Sequence, residues 1–174
     1  MTAKTYGMSI HSLAKEEGLE EEILSELSYV SKLFDEHPDY VKILDSPQID
    51  RGELMTVLNE DFSGKIGRYT LNFLKLLSER HMVHHLQDSF KEYERLYNVE
   101  KNIKLVDVTT ARPLKEELKN RLREKLENKL GGRIVIKEHI DKSCIGGIVI
   151  ESEERRIDAD IKTELDKIKR ALTE

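Results

Sequence analysis

Apolar residues recur every three to four positions through the first hundred residues. From about residue 103 short segments recur with a period of two, and this changeover is what most constrains the fold. A 3.6-residue period buries one face of a helix, and a period of two buries one face of a strand. In the first block Tyr6, Ile10, Leu13 and Ala14 share a helical face, and Gly18 ends that helix. Glu20, Glu21 and Glu22 then put negative charge at the positive N-terminus of a second helix. Its stripe is Ile23, Leu24, Leu27, Val30 and Phe34, and it stops ahead of Pro38. Tyr40, Val41 and Leu44 mark a short third segment, closed by Ser46 and Pro47. Asp50 and Glu53 read as a capping-box variant opening a fourth helix with Leu54, Val57 and Leu58.

The fifth helix is predicted from about Ile66 to about Arg80. Ile66, Tyr69, Leu71, Phe73, Leu74, Leu76 and Leu77 cover most of its circumference. A helix apolar nearly all round sits mid-bundle or offers a spare face to a partner. Val83, Leu86, Phe90, Tyr93 and Tyr97 make the seam of a sixth. Six helices with short connectors pack most simply as a bundle.

Beyond the changeover, Ile103 to Val108 reads as a strand and Thr109 to Pro113 as a turn, with Pro113 suited to a helix's first turn. Leu114, Leu118, Leu122, Leu126 and Leu130 recur every four residues in a helix over 114–130, which Gly131 and Gly132 end. Arg133 to Ile140 and Gly147 to Glu151 read as strands, and Glu153-Glu154 turns into another. Asp158 caps a last helix with the stripe Ile161, Leu165, Ile168 and Leu172. The fold class is therefore α+β: a six-helix N-terminal bundle over 1–102 and a small C-terminal α/β domain over 103–174.

Charge divides the chain at the same place. Residues 1–102 hold 12 Lys and Arg against 19 Asp and Glu, whereas 103–174 hold 17 against 15. The basic stretch 112–137 suggests nucleic acid. Glu116, Glu117, Glu124 and Glu127 interrupt it, which favours a solvated helix face, with nucleic-acid binding through helix 114–130 as the alternative. No apolar run approaches the length of a membrane span, and Met1 to Tyr6 does not open like a signal peptide. A single cysteine, Cys144, excludes an internal disulfide.

Signatures of chemistry are incomplete. Gly64-Lys65 lacks the earlier glycine and the following Ser or Thr of a phosphate loop. Gly64 to Gly67 matches a GXXG clamp, but among helices instead of beside a sheet. His81, His84 and His85 form a metal candidate only if the helix continues through them, and they read better as a surface cluster. Lys142 stands near Cys144 without a placed base. The residues imply no enzyme, cofactor or metal.

The run Asp141-Lys-Ser-Cys-Ile-Gly-Gly147 and the segment Arg156-Ile-Asp-Ala-Asp-Ile161 resemble the C-terminal signature of the δ subunit family of bacterial F-type ATP synthases, homologues of the mitochondrial oligomycin-sensitivity-conferring protein. Thr109-Thr-Ala-Arg-Pro-Leu114 resembles the opening of that family's C-terminal domain. Tyr6-Gly-Met-Ser-Ile10 is similar to the start of its first helix, where the family more often has Ala after the Tyr. Cys144 stands at a usual Leu, Ala159 and Asp160 replace a usual Gly and Ser, and Ser152 to Arg155 lacks the usual Gly. The resemblance implies a non-catalytic, peripheral stator subunit, one copy per complex, at the cytoplasmic face of the cell inner membrane. It would couple proton transport to ATP synthesis by tying the catalytic head to the stalk. It further implies that the bundle binds the N-terminal helix of an α subunit between the first and fifth helices, with Tyr6, Ile10, Leu13, Tyr69, Phe73 and Leu77 as candidate contacts. The C-terminal domain, through helix 114–130 and the last helix, would meet the b subunits, with no cofactor and no nucleic acid involved.

Overall fold

The computed structural model describes residues 2–141, 148–152 and 156–158. The chain divides into two compact units, Met1–Tyr97 and Asn98–Glu174.

The first unit is helical. Helix α1 (Ala3–Glu17) ends where Gly18 turns left-handed at φ 67°, with Leu19 N–H closing back on the Ala14 carbonyl. Helix α2 (Glu20–Glu36) carries its three glutamates in the first turn. It stops at His37 because Pro38, at the first position of α3 (Pro38–Leu44), cannot donate to the preceding turn. Asp50 caps α4 (Arg51–Phe62) by accepting from Gly52 N–H at 2.7 Å, one residue short of the expected Glu53 position. Helix α5 (Arg68–Glu79) starts two residues later than the apolar stripe suggested. Ile66 is held instead in a bridge to Ser63, after Gly64 at φ 77°. A 3₁₀ turn, Val83–His85, leads into α6 (Leu86–Glu100).

One core unites these helices. Leu27, Val30, Leu58, Leu77 and Tyr93 are fully buried in it. Tyr93 donates its hydroxyl to the Glu20 carbonyl at 2.9 Å; burial, then the neighbouring Glu20, pushes its phenol pKa upward. Thr70, Ser78 and Ser89 are buried polar residues with partners. Ser78, for example, donates to the Leu44 carbonyl at 3.0 Å.

The second unit is a mixed sheet in the order β2-β1-β3-β4 with one described helix. Strand β1 (Ile103–Thr110) pairs in parallel with β2 (Arg133–Ile140) through the crossover helix α7 (Glu116–Leu130). It pairs antiparallel with β3 (Ile148–Ser152), which pairs with β4 (Arg156–Asp158). Thr109 and Thr110 belong to β1 and not to a turn, because His139 and Ile140 continue the ladder beside them. Pro113 lies ahead of α7 instead of in its first turn, and the following Leu114 N–H goes to Glu138 Oε1 at 2.7 Å. Val106, Val108, Leu126 and Ile134 form this unit's core.

The leucine row does not face the sheet as one. A strict four-residue repeat advances 400° per step on a helix of 3.6 residues per turn, so it drifts about 40° each time. Leu126 is buried and Leu122 half-buried, while Leu118 is left 52% exposed. The Asp141–Gly147 signature beyond its first residue, Cys144 included, and the last helix with its stripe lie outside the described residues. Asp158, expected as that helix's cap, closes β4.

Candidate partner-binding site

Helices α1 and α5 meet at the rings of Tyr6 and Phe73, whose centroids lie 6.4 Å apart in an edge contact. The six candidate contact residues divide into two groups around it. Tyr6, Ile10, Phe73 and Leu77 are buried in the core, where they hold the two helices. Leu13 and Tyr69 are half-buried, packed against that core with part of their surface open. Leu13 follows Tyr6 and Ile10 at helical spacing on α1, as Phe73 follows Tyr69 on α5. The same spacing continues to Leu76, which is 40% exposed and extends the apolar strip. The i, i+4, i+7 relation of Tyr69, Phe73 and Leu76 is readable in the sequence, although Leu76 was not among the expected contacts.

The start of α5 is set by another helix. Gly67, its N-cap, has no side chain to satisfy the first amides. Glu26 of α2 supplies the acceptor: Oε1 takes Gly67 N–H at 2.5 Å and Oε2 takes the buried Thr70 hydroxyl. A carboxylate at a helix N-terminus is favoured by the unpaired N–H groups and the dipole. The Arg68 guanidinium stands 4.5 Å from the Tyr69 ring centroid and donates to its hydroxyl at 2.6 Å. Together these hold the first turn of α5 and the Tyr69 ring on it.

The histidine cluster does not continue a helix. α5 ends at Glu79, His81 takes φ 52°, and the 3₁₀ turn intervenes, so the one-turn spacing of His81 and His85 is not formed. Asp45 organises the segment: its carboxylate accepts Val83 N–H at 2.6 Å and His84 N–H at 3.0 Å, and contacts His84 Nδ1 at 2.6 Å. Among the described residues no group of three or more His, Cys, Asp or Glu is placed to hold a metal ion. Gly64 to Gly67 connects two helices.

On α7 the basic side chains are partly committed. Lys119 pairs with Glu138 of β2 at 2.9 Å. The Leu114 N–H, then Lys119, hold the Glu138 carboxyl below its ordinary value. No described helix is long and apolar enough to cross a membrane.

The family profile described as "ATP synthase delta (OSCP) subunit" matches residues 2–172. The chain is 31% identical over 169 residues to "ATP synthase subunit delta" of Clostridium botulinum (strain Loch Maree / Type A3), covering 97% of this chain and 94% of that protein. It is 30% identical, with the same coverage, to the like-named protein of Clostridium perfringens (strain SM101 / Type A). Among solved structures, a chain of the Toxoplasma gondii mitochondrial ATP synthase hexamer superposes with a TM-score of 0.72. It covers 100% of this chain and 98% of that one at 20% identity, a likeness of fold.

Proposed function

The chain belongs to the ATP synthase delta (OSCP) subunit family, non-catalytic components of the peripheral stalk of F-type ATP synthase, and from that membership we propose how its two units divide the work. The helical unit takes the N-terminal amphipathic helix of an α subunit of the catalytic head along the α1–α5 strip. The C-terminal unit takes the ends of the b subunits. One copy per complex, peripheral at the cytoplasmic face of the inner membrane, resists the torque of the rotor so that proton transport drives ATP synthesis.

The observation that carries this reading is the arrangement of Leu13, Tyr69 and Leu76. They leave partly open apolar surface beside a seam closed by Tyr6 and Phe73. A partner helix covers such a strip with anchors at i, i+3 or i+4 and i+7. The four buried candidates shape the walls, and Leu13 and Tyr69 offer the contact. An N-terminal peptide of the organism's own α subunit is titrated into the full chain by isothermal calorimetry. The expected result is saturable binding, weakened at least about tenfold by Leu13→Ser and by Tyr69→Ala, as for central interface anchors. Unchanged affinity in both variants, with helicity intact by circular dichroism, overturns this placement.

A further inference from the structure

A second apolar groove lies on the helical unit, lined by α2, His37, α3, the end of α4 and Lys65 just beyond it, with no residue from α1 or α5. It encloses about 500 Å³. Tyr40 and Phe62 line it, and both rings pack against the buried Phe34, tilted at 5.9 Å and edge-on at 6.3 Å, centroid to centroid. Tyr40 is fixed by donating its hydroxyl to Asp61 Oδ2 at 2.5 Å. Tyr29 on one wall is 45% exposed and Ile43 on the other 48%. Single exposed apolar residues are ordinary, but two large ones facing one apolar-floored cavity mark an interaction surface.

Shape and charge select the occupant. Tyr29, Leu33 and Glu36 follow one another along α2 at i, i+4 and i+7, a strip of about 10 Å, or two helical turns. That favours an elongated partner over a compact ligand. The rim carries Glu36, Asp39 and Asp61 against Lys65, on the half of the chain with the acidic excess. Asp39 makes an exposed ion pair with Lys42, at 2.8 Å, which a partner's cation can displace. We propose that this groove is a second docking site, for an amphipathic protein helix whose apolar face meets Tyr29, Tyr40 and Ile43 and whose polar flanks carry Lys or Arg. Complementary charge speeds encounter and sets the orientation, and the apolar floor holds the partner. This site is independent of the α1–α5 reading.

The test uses the full chain labelled with ¹⁵N and two designed peptides of about 18 residues, or five turns. Both have leucines at i, i+3 or i+4 and i+7; one is flanked by Lys, its twin by Glu. The Lys peptide is expected to bind saturably, with amide shifts centred on residues 29–43, and to weaken as salt rises. Tyr29→Ala and Ile43→Ser, at half-exposed positions that leave the fold intact, each weaken it at least about tenfold, while Leu13→Ser has no effect. Equal binding of the two peptides, no saturable binding of the Lys peptide, insensitivity to both groove variants, or shifts centred on α1 and α5 would each overturn the proposal. Loss of α-subunit peptide binding in Leu13→Ser with the groove unaffected would leave the two sites separate.

Discussion

Gly7 lies in the interior of α1, where glycine costs about 0.5–1 kcal/mol relative to alanine. The structure supplies the reason for keeping it. A Cβ at this position would stand 2.5 Å from the Ser89 carbonyl oxygen and 2.9 Å from Glu92 Cβ, so the missing side chain lets α1 approach α6. The Ser89 hydroxyl also lies between the carbonyls of His85, at 2.8 Å, and Ala3, at 3.1 Å, sharing its one proton across the contact. Gly7→Ala, the residue the resembled family more often carries, therefore sets helix propensity against overpacking. Overpacking into backbone wins, and the variant is expected to lose about 1–3 kcal/mol of stability. Urea unfolding followed by circular dichroism reads this; a gain in stability would show that α1 and α6 separate freely. The same scale explains the six candidate contacts. Tyr6, Ile10, Leu13, Tyr69, Phe73 and Leu77 look alike as apolar members of two stripes. Only the neighbours of each side chain make four of them interior and two partly open.

Among the elements, α5 depends most on a residue far from it in sequence. Its N-cap is a glycine, and the carboxylate that satisfies Gly67 N–H and the Thr70 hydroxyl comes from Glu26, 41 residues before Gly67. Glu26→Ala strands a backbone donor and a buried hydroxyl, a loss of about 1–3 kcal/mol. Because α5 carries Tyr69 in its first turn, the same change is expected to weaken binding of the α-subunit peptide. Glu26→Gln keeps an acceptor oxygen and should recover part of both. If Glu26→Ala matched the parent in urea midpoint and in peptide affinity, Glu26 would not be the anchor of α5. The apolar stripe alone placed the helix start at Ile66, because periodicity records a buried face and not which amide begins a hydrogen-bonded turn. Leu118 teaches a similar lesson: a four-residue repeat looks like one stripe, yet it winds off the sheet.

At the scale of the whole chain, each unit has its own core: the helical one around Leu27, Leu58 and Leu77, the mixed α/β one around Val106, Val108 and Ile134. A fragment of residues 1–102 retains every residue of the first core. It is expected to fold cooperatively, to bind the α-subunit peptide like the full chain, and to bind no b subunit. In a strain carrying only this fragment, inverted membrane vesicles should hydrolyse ATP without pumping protons. A stable holding contact is needed at both ends, and nanomolar attachment corresponds to about −12 kcal/mol. Normal pumping with the fragment would show that the stalk contact does not reside after residue 102.

The number of helices in the first unit, the breaks at Gly18 and Pro38, the end of α7 at Gly131 and the switch to strands at Ile103 follow from the sequence alone. Each rests on short-range physics: period, the left-handed freedom of glycine, or the missing N–H of proline. The family, too, is legible in the sequence, in motifs of which Asp141–Gly147 lies outside the described residues beyond its first residue. Relations between residues far apart in the chain come from packing instead. These include the parallel pairing of β1 with β2 inside the order β2-β1-β3-β4, the Glu26 cap on α5, the Asp45 carboxylate under Val83 and His84, and the groove between Tyr29 and Ile43. Periodicity shows that a face is apolar. Which neighbour covers it, and which part stays open for a partner, depends on packing between helices whose order in space no local pattern encodes.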